Sequence, residues 1–240
     1  MKLWLMMVAV LAMLGGTVVA APSPVAPVSV VKGIDISKFQ GDLIGHLGDR
    51  PDIRFILCKA TEGLDYVDPD FRKNWRAIES QGKVRGAYHF FHVQDDPILQ
   101  ADAYIKALNS WWLLWHRGLK SKDLPPVVDI ERASLKGPVD IAELHKRLLA
   151  FLNRIEAKTG RRPILYTNGY FADIYLVNPA FAKYPLWLAD YTNQDQPTVP
   201  KTWQTVGYRL WQKSESYTLD SQAVDFDVFN GTEAEFKKGF

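Results

Sequence analysis

Two acids two residues apart close an apolar run, Pro125-Pro126-Val127-Val128-Asp129-Ile130-Glu131. A buried parallel strand is nearly continuously apolar; this one begins that way and ends in carboxyls. Side chains alternate faces along a strand, so Asp129 and Glu131 point the same way, with Cα atoms roughly 6.5 Å apart. Repulsion between like charges raises the pKa of one of them. An acid that keeps its proton beside a carboxylate that stays charged is what cleavage of a glycosidic bond requires. The pair fits a plainer reading equally well, as strand-end acids of which one caps the next helix, and the segment alone does not choose.

Other strand ends bear on that choice. Gly33-Ile34-Asp35-Ile36-Ser37 places Asp35 in a first strand, and Val224-Asp225-Phe226-Asp227 places Asp225 in a last one. Lys59 and Glu62 follow the second apolar run, and Tyr88 and His89 lie in the third. The runs themselves are Gly33–Ser37, Arg54–Ala60, Val84–Phe91, Pro126–Ile130, Pro163–Thr167, Pro185–Asp190, Gly207–Gln212 and Ala223–Phe229, each of strand length. Eight is the number that a closed barrel of parallel strands needs, and such barrels build their sites at the C-terminal strand ends. First and last strands are neighbours in a closed barrel, so Asp35 and Asp225 are expected to converge on Asp129 and Glu131. Acids recurring on several strands are harder to explain as chance capping than one pair.

Helical patterns separate several runs. Asp68-Pro69 and Asp96-Pro97 each offer an N-cap and a first-turn proline. Asp140 with Glu143 resembles a capping box before Leu144, Leu148, Phe151, Leu152 and Ile155, with Gly160 as the stop. Beyond Arg162 the helical pattern weakens, which predicts an irregular barrel. The chain of 240 residues suits one such domain over residues 32–240. Before it, Lys2, the apolar run Leu3 to Leu14, and the small residues Val18 and Ala20 read as a signal peptide over residues 1–21. Residues 22–31, with Pro22, Pro24 and Pro27, read as an extended linker. The expected location is therefore secreted or periplasmic, with no stable membrane span after cleavage.

A net charge of +2, or +1 once Lys2 leaves with the leader, gives no ground for a nucleic-acid partner. Cys58 is the one cysteine and sits among Phe55, Ile56 and Leu57, where a small core residue is the natural reading. His89 and His92 are three apart, but no third ligand is spaced to join them, so a satisfied buried histidine is preferred to a metal site. No metal and no cofactor is expected. Trp111, Trp112, Trp115 and His116 crowd one segment, best read as a buried loop helix.

The ordered set of motifs resembles glycoside hydrolase family 25, the lysozymes. It comprises Gly33-Ile34-Asp35-Ile36-Ser37 with Phe39-Gln40-Gly41, Lys59-Ala60-Thr61-Glu62-Gly63, Gly86-Ala87-Tyr88-His89-Phe90 and Val128-Asp129-Ile130-Glu131. It continues with Ile164-Leu165-Tyr166-Thr167, Leu186-Trp187-Leu188-Ala189-Asp190-Tyr191, Leu210-Trp211-Gln212, and Val224 to Gly231. The resemblance implies a flattened, irregular (β/α)8-type barrel, an α/β fold. It implies hydrolysis, with retention, of the β-1,4 bond from N-acetylmuramic acid to N-acetylglucosamine, on peptidoglycan strands and as a monomer. Glu131 matches the general acid, and Asp129 matches either a nucleophile or the group that orients a substrate acetamido nucleophile. Asp35 and Asp225 match acids of the cleft, and Tyr166 a cleft tyrosine. Trp187, Tyr191 and Gln212 match positions that shape sugar subsites, and Tyr88, Lys59 and Glu62 are grouped with them as substrate-binding. Aromatic faces pack on sugar rings, which makes Trp187 and Tyr191 expected platforms, while Trp211 is expected in the core. Lys38 and Phe39 depart from the His and Trp frequent in the family. Two rivals remain: a barrel that binds glycan without cutting it, and a glycosidase for a related amino-sugar polymer.

Overall fold

The computed structural model describes residues 30–47, 50–109 and 118–239. The leader, most of the linker and the cluster of Trp111, Trp112, Trp115 and His116 lie outside the described residues. The strands are β1 (Val31–Ile36), β2 (Ile53–Glu62), β3 (Tyr66–Val67), β4 (Val84–Phe90), β5 (Val127–Asp129), β6 (Ile164–Asn168), β7 (Leu186–Ala189), β8 (Leu210–Leu219) and β9 (Gln222–Phe229). All but β3 close into a barrel in the order β1-β2-β4-β5-β6-β7-β8-β9, and β3 extends from β2. Every neighbour pair from β1 to β8 is parallel. The last strand corrects the expectation of eight parallel strands, because β9 is antiparallel to both β8 and β1. The cause is local: only Asp220 and Ser221 separate β8 from β9, both at positive φ (48° and 68°). Two residues make a hairpin, whereas a parallel return needs a crossover of a dozen or more.

Strand alternation sorts the apolar residues into two layers. Val31, Phe55, Leu57, Val127, Ile164, Trp187, Leu210 and Phe229 fill the barrel interior. Ile34, Ile56, Cys58, Val128, Leu165, Leu188 and Trp211 face outward among the helix residues. Cys58 and Trp211 are thus core residues, as expected. At the floor, Phe236 closes the interior with its ring centroid 5.5 Å from Phe55 and 5.2 Å from Phe229. It belongs to the short final helix Glu233–Lys238, which becomes α5 in the numbering below.

The helices α1 (Phe71–Ser80), α2 (Pro97–Leu108), α3 (Ile141–Thr159) and α4 (Gly169–Tyr175) precede α5. Asp96 caps α2 by accepting from the N–H groups of Ile98 and Leu99. Asp140 caps α3, but Glu143 turns to Arg147 at 2.8 Å instead of completing a capping box. Asp68 is not the cap of α1, which starts after Asp70; its carboxylate accepts from Asp70 N and Lys38 N, tying the turn after β1 to the start of α1. Leu144, Leu148, Phe151, Leu152 and Ile155 form the buried stripe of α3, each contributing about 1.5–3 kcal/mol of transfer free energy. After α3, α4 has 7 residues and 3-10 turns at Pro179–Lys183 and Lys201–Trp203 stand where further helices would be, which flattens that side.

Candidate active site

The C-terminal ends of the parallel strands meet at one mouth of the barrel, and β9 reaches the same mouth with its N-terminal half. Antiparallel register sets Asp225 opposite Asp35 and Asp227 opposite Gly33. Parallel register sets Asp129 beside Tyr166, Tyr166 beside Trp187, and Lys59 beside Tyr88. Glu131 lies two residues past Asp129 on still-extended backbone (φ −150°, ψ −170°). Its N–H donates to Ser134 Oγ at 3.1 Å as the 3-10 turn Arg132–Ser134 begins. Five carboxyls, from Asp35, Asp129, Glu131, Asp225 and Asp227, are thereby carried by three strands.

Gln212, at the mouth end of β8, joins the two sides. Its Nε2 donates to Asp35 Oδ2 at 2.6 Å, and its Oε1 accepts from Tyr166 at 2.7 Å and from Tyr191 at 2.8 Å. Deeper down, Trp187 Nε1 donates to Asp227 Oδ1 at 2.8 Å. On the β2 side, Lys59 Nζ donates to Glu62 Oε2 at 2.6 Å, and His92 stands between Glu62 and Asp95 at 3.1 Å and 3.0 Å. Burial alone raises the Glu62 carboxyl, but Lys59 and His92 outweigh it and hold Glu62 below its ordinary value.

The carboxyl cluster behaves in the opposite way. Burial, then Asp227 and Asp225, push Asp35 well above the ordinary aspartate range. Burial, then Glu131, do the same to Asp129, against the pull of Lys59. Burial raises Glu131, again against Lys59, and burial with Glu215 raises Asp225 to about 6. Taking charge out of water without a counter-charge disfavours the ionised form. The cluster therefore holds its protons to higher pH than isolated carboxyls would.

Two hollows open near this mouth. One, of about 440 Å³, is lined by Lys38, Phe39, Lys59, Glu62, Tyr66 and His92 among others. The other, of about 840 Å³, is lined by Glu131, Tyr166, Tyr170, Asp190, Tyr191 and Glu215 among others. Both are open to solvent, and Glu131 stands in the wall of the second. The sequence model described as glycosyl hydrolases family 25 matches residues 34–222. The chain belongs to glycosyl hydrolases family 25.

Relatives agree along most of the length. The chain is 32% identical to the uncharacterized protein YegX of Escherichia coli K12 over 216 residues, covering 86% of this chain and 72% of that one. It is 31% identical to an N,O-diacetylmuramidase of Chalaropsis sp., covering 87% of this chain and 98% of that one. A solved structure of a family 25 glycosyl hydrolase from Bacillus anthracis superposes with a TM-score of 0.74 at 25% identity, covering 87% and 93% of the two chains.

In this family 25 hydrolase, Asp35, Asp129, Glu131, Asp225, Tyr88, Tyr166, Tyr191, Gln212, Lys59 and Glu62 all come to the groove or its floor. Trp187 does not present a sugar platform: it is 2% exposed, with Tyr166 packed edge-on at 4.5 Å and Tyr88 at 6.3 Å. Its place on β7 points the ring into the barrel, where it supports Tyr166 and bonds Asp227. Tyr191 is half exposed and open to the groove. His89 is buried between Thr61 and Gln100 (2.8 Å and 3.2 Å), and burial lowers it to about 3, so the ring is neutral. Three groove residues escape the sequence reading. Asp227 was visible by alternation from Asp225, whereas Tyr170 and Tyr66 carry no pattern that marks them.

Proposed function

We propose that this hydrolase is a muramidase that cleaves the β-1,4 bond from N-acetylmuramic acid to N-acetylglucosamine in peptidoglycan, with retention, Glu131 acting as general acid. The observation that carries the proposal is the pair Asp129 and Glu131 at the mouth end of β5, Asp129 buried on the floor and Glu131 in the wall of the hollow of about 840 Å³. The 31% identity to an N,O-diacetylmuramidase supports the choice of substrate. So does an open groove whose exposed aromatics, Phe39, Tyr170 and Tyr191, can cover sugar faces.

Glu131 is partly exposed, and burial keeps its proton on at higher pH than an ordinary glutamate would. It can thus donate to the leaving oxygen and, once ionised, take a proton from water, the acid-then-base cycle of a retaining enzyme. Asp129 lies deeper, and its Oδ1 meets no donor among the described residues. That oxygen serves the reacting sugar, as nucleophile or by holding a substrate acetamido group for attack. An oxocarbenium-like transition state supplies the positive charge that the carboxyl cluster lacks, so the site binds it more strongly than the neutral ground state. Export through the leader at residues 1–21, to a secreted or periplasmic location, and action as a monomer belong to the same reading.

The test is digestion of purified peptidoglycan by the protein lacking residues 1–21, beside Glu131→Gln, with borohydride reduction and mass spectrometry. Wild type should release fragments with reduced muramic acid ends, and Glu131→Gln should be slower by roughly 10²–10⁴. Binding of the glycan by both proteins with no cleavage by either would leave a non-catalytic binding barrel. Added methanol should be captured as a β-methyl glycoside, which an inverting enzyme does not form.

A further inference from the structure

The amide of Gln212 is spent inside the protein. The residue is 3% exposed at the mouth end of β8, so it offers almost no surface to a sugar. Its Oε1 accepts from the hydroxyls of Tyr166 at 2.7 Å and Tyr191 at 2.8 Å, and its Nε2 donates to Asp35 Oδ2 at 2.6 Å. These bonds fix which way the amide lies. Reversed, it would set its carbonyl oxygen against the Asp35 carboxyl at that same short distance. It would also take the acceptor away from the buried Tyr166 hydroxyl, and a buried donor left unpaired costs free energy. Tyr166 stands on β6 and Tyr191 just beyond β7, so two strands on one side of β8 hold the carbonyl and leave the N–H aimed across the mouth at β1.

Asp35 has other neighbours, and none of them helps it to ionise. Asp227 and Asp225 on β9 and Asp129 on β5 raise its pKa together with burial, whereas Gln212 lowers it. Tyr88, Tyr166 and Tyr191, which also face this cluster, are pushed above the ordinary tyrosine range and carry no charge at neutral pH. We propose that Gln212 is a positioning residue: locked by Tyr166 and Tyr191, its amide N–H holds Asp35 as an oriented carboxylate at the floor of the site. No proton changes hands and no covalent bond is made or broken at Gln212. Asp35 is then a fixed negative charge beneath the reacting sugar. That catalytic consequence rests on the muramidase reading; the direction of the hydrogen bond does not.

Gln212→Glu tests the direction. An ionised glutamate still accepts from both tyrosines but has no proton for Asp35, whereas a protonated one can do both. At about pH 7 its kcat on peptidoglycan should fall roughly 10–100-fold, with KM within about threefold of wild type. The gap to wild type should narrow as the pH is lowered and the new carboxyl gains its proton. Activity near that of wild type at about pH 7 would overturn the proposal, because Asp35 would then be the donor. An equal loss at every pH would overturn it too, by reducing Gln212 to packing. A readout on the wild-type protein depends neither on substrate nor on how the variant folds. In NMR spectra with nitrogen-labelled glutamine side chains, the amide pair that contacts the Tyr166 and Tyr191 rings should show one proton shifted downfield by its bond to a carboxylate. That shift should relax as Asp35 is protonated at low pH, and two ordinary amide protons indifferent to pH would refute the assignment. Should the wild type leave peptidoglycan uncut, the muramidase reading falls and the spectrum alone decides the bond.

Discussion

Asp225 shows how one residue's surroundings set a pH response. Burial, reinforced by Glu215, raises it from 3.8 to about 6. The folded chain therefore binds this proton more tightly than the unfolded chain does, and stability falls as pH rises through that interval. Below about 3.8 both states are protonated and nothing is lost; above about 6 the penalty is complete. Asp225→Asn removes the penalty. Its melting temperature relative to wild type should climb between these two pH values and then level off, measured by thermal unfolding in a buffer series. A constant offset at all pH values would place the proton elsewhere in the cluster. Activity carries a matching sign: it should fall on the alkaline side as Glu131 loses its proton above the ordinary glutamate range.

Among the elements, β1 is the most constrained. It pairs with β2 on one side and β9 on the other and carries Asp35 to the mouth. Gly33 sits where the interior is fullest, and a Cβ there would lie 2.3 Å from the Phe55 ring. Gly33→Ala should destabilise by about 1–3 kcal/mol and lower the melting temperature by several degrees. An unchanged melting curve would show that Phe55 has room to move. At this scale most of the barrel could be read in advance, because its parallel strands are buried on both faces and stand out as apolar runs. What could not be read is β8 beyond Gln212, where Lys213 to Thr218 are polar and only pairing with β9 makes them a strand. The direction of β9 was hidden for the same reason: Asp220-Ser221 is not a marked hairpin dipeptide. In the site, acids at strand ends were legible because carboxyls interrupt apolar runs, and alternation then assigns their face. Trp187 was expected as a platform from the family resemblance, and a matched position does not tell a ring that faces a cavity from one that fills it.

Over the whole molecule the groove is longer than its chemistry. Phe39 lies at one hollow and Tyr170 at the other, each 80% exposed. If the chain acts on long glycans as proposed, exposed rings are expected to add binding to sugars remote from the cut bond. Phe39→Ala and Tyr170→Ala should each raise KM on long glycans by roughly 3–10-fold with kcat and melting temperature unchanged. On a minimal disaccharide-repeat substrate the effect should shrink, and equal effects at every chain length would assign the rings a structural part instead. Lys38 leans over Phe39, its ammonium 5.2 Å from that ring centroid and 5.5 Å from that of Tyr66, so Phe39→Ala leaves the lysine on one ring only.

The downward run of β9 has a consequence in time as well as in space. Asp225 and Asp227 arrive on the last of the described strands, the one that also seals the barrel between β8 and β1. A nascent or truncated chain that ends before β9 has two unpaired sheet edges and three of the five carboxyls. An enzyme built in this way is expected to lack activity until β9 is in place, and whatever holds that strand back should also hold back the activity.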